Sequence, residues 1–562
     1  MMIASGIVGL DAVLNGGFLT GRTTVVSGGT GSGKTVLASQ FLRTGAVDHG
    51  EPGLMILFEE SPATVAAHFP GGGWPPAGEQ HAALHFIDGR LPEDTVQSGT
   101  FDVGGLIAIA TSLAKTHGVK RLAIDGIDAL FATVTDMQVR RRELTRLLDW
   151  LAVSGLTAVL TVKTGVADEP PTYFDLAEFA ADGVIALGST MIGELQRRTL
   201  RVVKMRGSSF ISGAHPYVIG EGGIRVLYAP TRTRWLAQAD ETRLSTGVER
   251  LDLMLQGGYR VGTTTLVSGT PGAAKTTLGV AFLAAGVRAG ERCLYVGFDE
   301  PAEQVVADAH SVGIQLDDAL RSGLLQAESY TAAALIAEEH YLAIEGLIVG
   351  NSPSRVVIDS ASSLDKAGGS QIGDAIRERL VVLMKSRGIT ALFTAAAEAN
   401  MLNGNLARAR IATICDAWIQ VGFSSEYGER NRTLVVLKAR GTGHSNQIRE
   451  LLLSSSGIDL ADVYTSPGDV LSGTARVQRE QQIAAQREIE SERASDDLAW
   501  LDRERDKLAR SLEDMQRRLA QLADDRAGLL ERVKSGGKAR ARDTREIRSQ
   551  RYEDPNPGSA DG

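Results

Sequence analysis

The feature that most constrains this chain is that it contains the same segment twice. Leu10-Asp11-Ala12-Val13-Leu14-Asn15-Gly16-Gly17-Phe18 returns as Leu251-Asp252-Leu253-Met254-Leu255-Gln256-Gly257-Gly258-Tyr259. The offset of 241 that relates them also carries Gly28 onto Gly269 and Lys34 onto Lys275. At slightly shorter offsets, Phe58-Glu59-Glu60 pairs with Phe298-Asp299-Glu300, and Ile124-Asp125 with Ile358-Asp359. Last, Lys204-Met205-Arg206-Gly207 pairs with Lys438-Ala439-Arg440-Gly441. Blocks repeated in one order, drifting only by changes in loop length, mean a duplicated domain. The join falls near Pro230 to Ala239, where polar residues separate the copies.

Each copy alternates short β-rich runs with helical stretches. Thr23 to Ser27, Leu54 to Phe58, Leu122 to Ile124 and Ala158 to Val162 read as buried strands. Thr264 to Ser268, Cys293 to Phe298, Val356 to Ile358 and Ala391 to Thr394 answer them. Apolar strands separated by helices predict an α/β fold with a mostly parallel sheet in each copy.

The residues between the first strand and its helix carry the clearest chemistry. Gly28-Gly29-Thr30-Gly31-Ser32-Gly33-Lys34-Thr35 is a complete phosphate-binding P-loop. Its glycines let backbone N–H groups curl around phosphates, Lys34 adds positive charge, and Thr35 can hold Mg²⁺. The second copy reads Gly269-Thr270-Pro271-Gly272-Ala273-Ala274-Lys275-Thr276-Thr277. Ala274 replaces the glycine before the lysine, but the lysine and hydroxyl needed for phosphate and Mg²⁺ remain. A degenerate, purely structural repeat is the alternative.

Asp125 and Asp359 each end a strand, where a carboxylate can orient a Mg²⁺ shell or simply cap a helix. Glu59-Glu60 and Asp299-Glu300 follow the second strand of each copy. Ligands bind beyond the carboxyl ends of such strands, so these acids can orient or deprotonate a nucleophile; solvated loop acids are the alternative. Lys204 with Arg206, and Lys438 with Arg440, end a late strand in each copy and can act as cationic fingers on transition-state charge.

The bulk properties narrow the field. A net charge of −9 gives no global sign of a nucleic-acid binder. Cys293 and Cys415 cannot build a disulfide framework and suit a reducing compartment. The opening residues contain no basic-then-apolar leader, and no apolar run is long enough for a bilayer, so a cytoplasmic location is expected.

After Pro467 the texture changes to charged, helix-forming sequence. Leu501, Leu508, Met515, Leu522 and Leu529 fall on one heptad position; Leu498, Leu512, Leu519 and Val533 fall on the other, with Arg505 and Arg526 in register with them. This spacing predicts a coiled coil, with a single long helix as the alternative. From Gly536 the polar composition predicts a disordered tail. The organisation read from sequence is therefore residues 1–235, 236–466, an exit segment with coil at 467–535, and a tail at 536–562.

The ordered set of two P-loops, FEE/FDE, IDG/IDS and KMRG/KARG resembles the KaiC family, the duplicated RecA-like ATPases of bacterial circadian and timing systems. The likeness covers about residues 1–475. It implies a homohexameric double ring binding ATP and Mg²⁺ between subunits, the metal on Thr35 and Thr276. The first ring would mainly hydrolyse ATP, and the second would phosphorylate itself and remove that phosphate. Carried over by position, Glu59 and Asp299 would be the catalytic carboxylates, assisted by Glu60 and Glu300. Lys204, Met205, Arg206 and Ser208, and Lys438, Ala439, Arg440, Thr442 and His444, would form the segments meeting nucleotide across the interface, with Arg198 and Arg432 nearby. The family's Ser-Thr phosphosite corresponds to Ala412-Thr413, which leaves Thr413 as the one acceptor. Asp299 replaces a glutamate. A thioredoxin-like KaiB partner would dock on the loop around Val96 to Phe101. Apart from the resemblance, the heptads are expected to pair tails from two hexamers into a dodecamer, with pairing within one hexamer as the alternative. Two other classes stay open: a RecA/DnaB-like DNA motor, which the acidic balance and the lack of a basic stripe oppose, and a nucleotide-stabilised scaffold with little turnover.

Overall fold

The computed structural model describes residues 1–67, 83–90, 102–132, 134, 136–164, 180–228, 242–396, 410–426, 429–462, 464–466, 469–471 and 473–550. They form two compact units, the first spanning Met1–Val463 and the second starting at Tyr464.

The first unit holds two nine-stranded sheets of the same design. The strands of the first are β1 (Thr23–Gly28), β2 (Gly53–Leu57), β3 (Leu84–Asp88), β4 (Arg121–Asp125), β5 (Thr157–Lys163), β6 (Gly183–Ile192), β7 (Leu195–Met205), β8 (Ala214–Gly220) and β9 (Gly223–Val226). Their order is β9-β8-β7-β6-β1-β5-β4-β2-β3. Strands β1 to β6 are mutually parallel, and β7, β8 and β9 return as an antiparallel meander. The second sheet comprises β10 (Thr264–Gly269), β11 (Cys293–Gly297), β12 (Leu325–Ser329), β13 (Arg355–Asp359), β14 (Thr390–Ala396), β15 (Ala417–Glu426), β16 (Glu429–Ala439), β17 (Arg449–Ser454) and β18 (Gly457–Asp462). It repeats that order, β18-β17-β16-β15-β10-β14-β13-β11-β12.

The central strands are apolar throughout because helices cover both faces, and β1, β2, β4 and β5 are buried at every position but Lys163. The α/β class with mostly parallel sheets is thus observed. The edge strands β3 and β12 carry no clear apolar run and do not stand out in the sequence.

One buried polar knot recurs in both copies. Arg121, 1% exposed, begins β4 and pairs with Glu51 at 2.7 Å. Its guanidinium also donates to the carbonyls of Ala4 and Phe41, and lies 4.9 Å from the Phe41 ring centroid. Arg355 repeats every contact: Glu291 at 2.7 Å, the carbonyls of Ser245 and Phe282, and the Phe282 ring at 4.8 Å. Room for each arginine comes from Gly45 and Gly286, where a Cβ would lie 2.3 and 2.5 Å from the arginine Cδ.

The domains meet through the first meander. Arg197 on β7 donates to the buried Glu338 at 2.9 Å, and Arg225 on β9 pairs with Glu345 at 2.7 Å. Both acids lie on the helix Ala337–Asn351. Val218 and Leu227 are buried in the same apolar cluster as Ile344 and Ile348.

The second unit contains the hairpin Tyr464–Ser466 with Asp469–Leu471, and the helix Gly473–Gln550. Its 78 residues span about 120 Å at 1.5 Å per residue. The heptad side chains are exposed along it, from Leu498 at 63% to Val533 at 70%. The expectation of disorder from Gly536 is corrected over residues 536–550. Helix continues through Gly536 and Gly537 because Lys538 to Ile547 resumes Ala, Arg and Glu, strong helix formers, with no proline before Pro555. Residues 551–562 and the loop Val96 to Phe101 lie outside the described residues.

Replacing Arg121 by Met should destabilise the first domain by about 3 kcal/mol, since it strands a partly buried carboxylate and two carbonyls. Chemical denaturation of the variant against the parent chain measures this.

Candidate functional site

The P-loop hangs between β1 and the helix Lys34–Asp48. Gly31 and Gly33 take φ of 73° and 85°, left-handed values that glycine adopts freely. Lys34 Nζ donates to the Gly29 carbonyl at 3.0 Å, so the lysine folds back over the loop where phosphates would lie. Burial lowers the Lys34 pKa, against which Glu59, Asp128 and Asp125 pull it up. Ser32 is fully buried, its hydroxyl bonded to the Gly29 carbonyl and its own carbonyl accepting from Tyr217. Thr30, exposed, sits at the loop's rim.

Thr35 Oγ1 donates to Asp125 Oδ2 at 2.9 Å, and Thr161 Oγ1 to Oδ1 at 2.6 Å. A hydroxyl and a carboxylate facing each other beside a phosphate loop are oxygen donors of the kind Mg²⁺ prefers. Burial raises the Asp125 pKa, and the two threonine hydroxyls and Lys34 counter it. The residues therefore fit a nucleotide polyphosphate with its cation. Thr161 belongs to no motif; only alignment of the copies, which sets it beside Thr394, could single it out.

The second loop follows the same path with one strained residue. Gly272 has φ 77°, Lys275 Nζ reaches the Thr270 carbonyl at 3.0 Å, and Ala274 is left-handed at φ 74°. In the first loop a Cβ on Gly33 would lie 2.6 Å from Ile219 Cδ1, whereas Leu453 stands at the equivalent register beside Ala274. Gly272, Ala274, Lys275, Thr276, Thr277, Glu300 and Arg432 line a cavity of about 390 Å³; Gly269 ends β10 and Ala273 is fully buried beneath it. Asp359 accepts from Thr394 and, at 3.1 Å, from Tyr295.

The acids after the second strand differ between copies. Glu59 is exposed, its side chain crosses Gly126, and no hydrogen bond holds its carboxylate among the described residues. Burial raises its pKa, Asp128 and Asp125 add to that, and Lys34 opposes it. Asp299 instead accepts from Ser360, Ser363 and Lys366. Burial pushes its pKa up, but those three donors outweigh burial and hold it below the usual carboxylate range. Glu60 is half-buried and Glu300 exposed beside them.

The late cations lie elsewhere. Arg206 N–H bonds to Asp182, whose own N–H bonds to Thr23 at the start of β1, so Lys204 and Arg206 sit at the strand end opposite the P-loop. Lys438 Nζ donates to the carbonyls of Ala412 and Cys415, and Arg440 to that of Thr413 at 2.8 Å. Exposed Thr413 and Arg440 line a second cavity of about 560 Å³ with Arg260 and Lys385. Met205 is buried, and Ala439 packs half-buried against the core. Ser208 is half-buried, Thr442 accepts from Arg243 at 2.8 Å, and His444 is half-buried on the same loop as Thr442. Arg198 and Arg432 part company with the other late cations: they reach their own P-loops, bonding the Gly31 carbonyl at 3.4 Å and the Gly272 carbonyl at 3.1 Å. Strand length explains this, since six residues back along β7 and β16 is the other end of the sheet.

These two sites define the chain as a tandem P-loop ATPase of RecA-like architecture. The family model described as KaiC ATPase matches it twice, at residues 3–231 and 244–463. The chain belongs to the KaiC family. It is 35% identical over 493 residues to a circadian clock protein KaiC2 of Synechocystis sp., covering 86% of each chain. It is 34% identical over 476 residues to a circadian clock oscillator protein KaiC of Parathermosynechococcus lividus, covering 84% of this chain and 87% of that one.

A left-handed alanine costs about 1–2 kcal/mol, partly offset by the unfolded-state freedom glycine would regain. Ala274→Gly should therefore stabilise the second domain by about 0.5–1 kcal/mol, read as a higher unfolding midpoint without added nucleotide.

Proposed function

We propose that the chain forms a head-to-tail homohexamer with nucleotide between neighbours, and works as a KaiC-type clock or signalling ATPase whose first domain is the principal hydrolysis site. The observation that carries this is the distance between two halves of one site. Each P-loop lies at the carboxyl end of its sheet, while Lys204 with Arg206, and Lys438 with Arg440, lie at the other end. The six residues of β1 or β10 between them span roughly 16 Å. A cation that far away cannot stabilise charge on its own chain's γ-phosphate, but a neighbour stacked head to tail brings one there. Contacts of that kind close into rings when the rotation permits.

ATP would rest on Lys34, Thr35 and Asp125 in one domain and on Lys275, Thr276 and Asp359 in the other, with Mg²⁺ neutralising phosphate charge. Glu59 orients the attacking water and takes its proton. Its unbound, proton-hungry carboxylate supports that role better than the engaged Asp299 does. Glu59→Gln should lower turnover about a hundredfold while ATP binding persists. Glu59 acts ionised and its pKa is raised, so turnover should fall as pH drops through a value above the ordinary glutamate range. An Asp299→Asn variant that removes the larger share of turnover would reverse the assignment.

The second domain's autokinase activity centres on Thr413, exposed at the end of the helix Arg410–Ile414, whereas Ala412 is buried and has no hydroxyl. A neighbour's ATP supplies the phosphoryl group, since the chain's own P-loop is a strand length away. Labelled ATP followed by peptide mapping should place label on Thr413; label confined to a distant hydroxyl rules this out.

A KaiB-like partner on the first domain follows from the family. The exposed heptad seam supports pairing of helices from two hexamers. Deleting residues 477–562 should halve the particle mass by light scattering, and an unchanged mass rules out ring joining.

A further inference from the structure

The second domain surrounds Asp299 with groups that the first domain lacks around Glu59. Ser360 Oγ donates to Asp299 Oδ2 at 2.9 Å. Ser363 Oγ donates to Oδ1 at 2.6 Å, and Lys366 Nζ to the same oxygen at 3.0 Å. Ser360 directly follows β13, and the other two lie on the 3₁₀ helix Ala361–Ala367. Ser360 Oγ is also 3.1 Å from Ser363 Oγ and 2.9 Å from Ser362 Oγ, so the hydroxyls support one another. Ser360 and Ser363 are buried, which fixes their aim.

The register that superposes Asp125 on Asp359 sets Gly126 on Ser360, Ala129 on Ser363 and Ala132 on Lys366. None of the three first-domain residues has a side-chain donor. A Cβ on Gly126 would lie 2.9 Å from Glu59 Cγ, so Glu59 runs through the space that the Ser360 side chain fills in the second domain.

A carboxylate offers about four lone-pair directions, and three donors already occupy Asp299. A base needs a lone pair aimed at the water it activates. We infer that Ser360, Ser363 and Lys366 are positioning residues that hold Asp299 away from water activation, making the second site slow to hydrolyse the nucleotide it binds. The inference rests on reading the first domain as the principal hydrolysis site. It assigns that asymmetry to a three-residue clamp, beyond the shortening of glutamate to aspartate. The lowered pKa of Asp299 agrees with it. Among the described residues, the charged and titratable groups that act on or are acted on by Asp299 are Lys366 from the 3₁₀ helix, Lys275 from the P-loop and Tyr295 on β11; Asp359 at the end of β13 acts on the same Lys275 and Tyr295, and Glu300 is adjacent in sequence.

The test uses the full chain carrying Glu59→Gln, so that remaining turnover reports the second site. Ser363→Ala alone, and Ser360→Gly with Ser363→Ala and Lys366→Ala, are compared with that parent. The triple change should raise turnover about tenfold with the KM for ATP unchanged, and move the acid limb of the pH profile upward. Ser363→Ala should give a smaller rise, and adding Asp299→Asn should abolish either gain. Turnover that stays level or falls in both variants overturns the clamp, as does a rise that survives Asp299→Asn. A Glu59→Gln parent that keeps the wild-type rate overturns the first-domain assignment instead, and the comparison with that parent still decides the clamp.

Discussion

A single buried guanidinium organises each half of this molecule. Arg121 and Arg355 each tie the first residue of the strand that ends in Asp125 or Asp359 to the helix that begins at the P-loop lysine. The aspartate and the P-loop hydroxyl can face each other only if that strand and that helix keep a fixed spacing. The arginine sets the spacing at the far end of the strand and midway along the helix, with its charge met by an acid, its protons by carbonyls and its plane by a phenylalanine ring. A buried charge satisfied on every side specifies one arrangement, because any other leaves donors stranded. Gly45 and Gly286 belong to the same constraint, for any side chain there would occupy the arginine's place.

On this shared skeleton the two copies differ at the tips of their loops. The first keeps Gly33 and an unheld Glu59; the second has a left-handed Ala274 and an Asp299 held by three donors. Strand order, the buried arginine and the folded-back lysine are the same in both. Divergence has therefore altered the loop tips that border each P-loop, while the means of building the site stayed constant.

The central strands and both P-loops were legible because repetition in register tests every local reading twice. The edge strands β3 and β12 were not, since a strand paired on one side needs no continuous apolar run. The arginine knot and the serine clamp were also hidden. Their members lie scattered through the chain and match no motif, although alignment of the two copies does set Arg121 on Arg355 and Gly126 on Ser360. The continuation of the last helix past Gly536 reflects a cost of about 1 kcal/mol per glycine, which long flanking runs of good helix formers absorb. The separation of Arg198 from Lys204 depends on strand length, which sequence adjacency conceals.

Arg197 and Arg198 are consecutive on β7, and a strand sends consecutive side chains to opposite faces. One grips the backbone of the first P-loop; the other grips Glu338 in the second domain. The two tiers are thus in series through a single peptide unit, with no flexible segment between the grips. A rotation of that strand by a few degrees is felt at a phosphate loop on one side and at a domain boundary on the other, as a rocker arm works two valves.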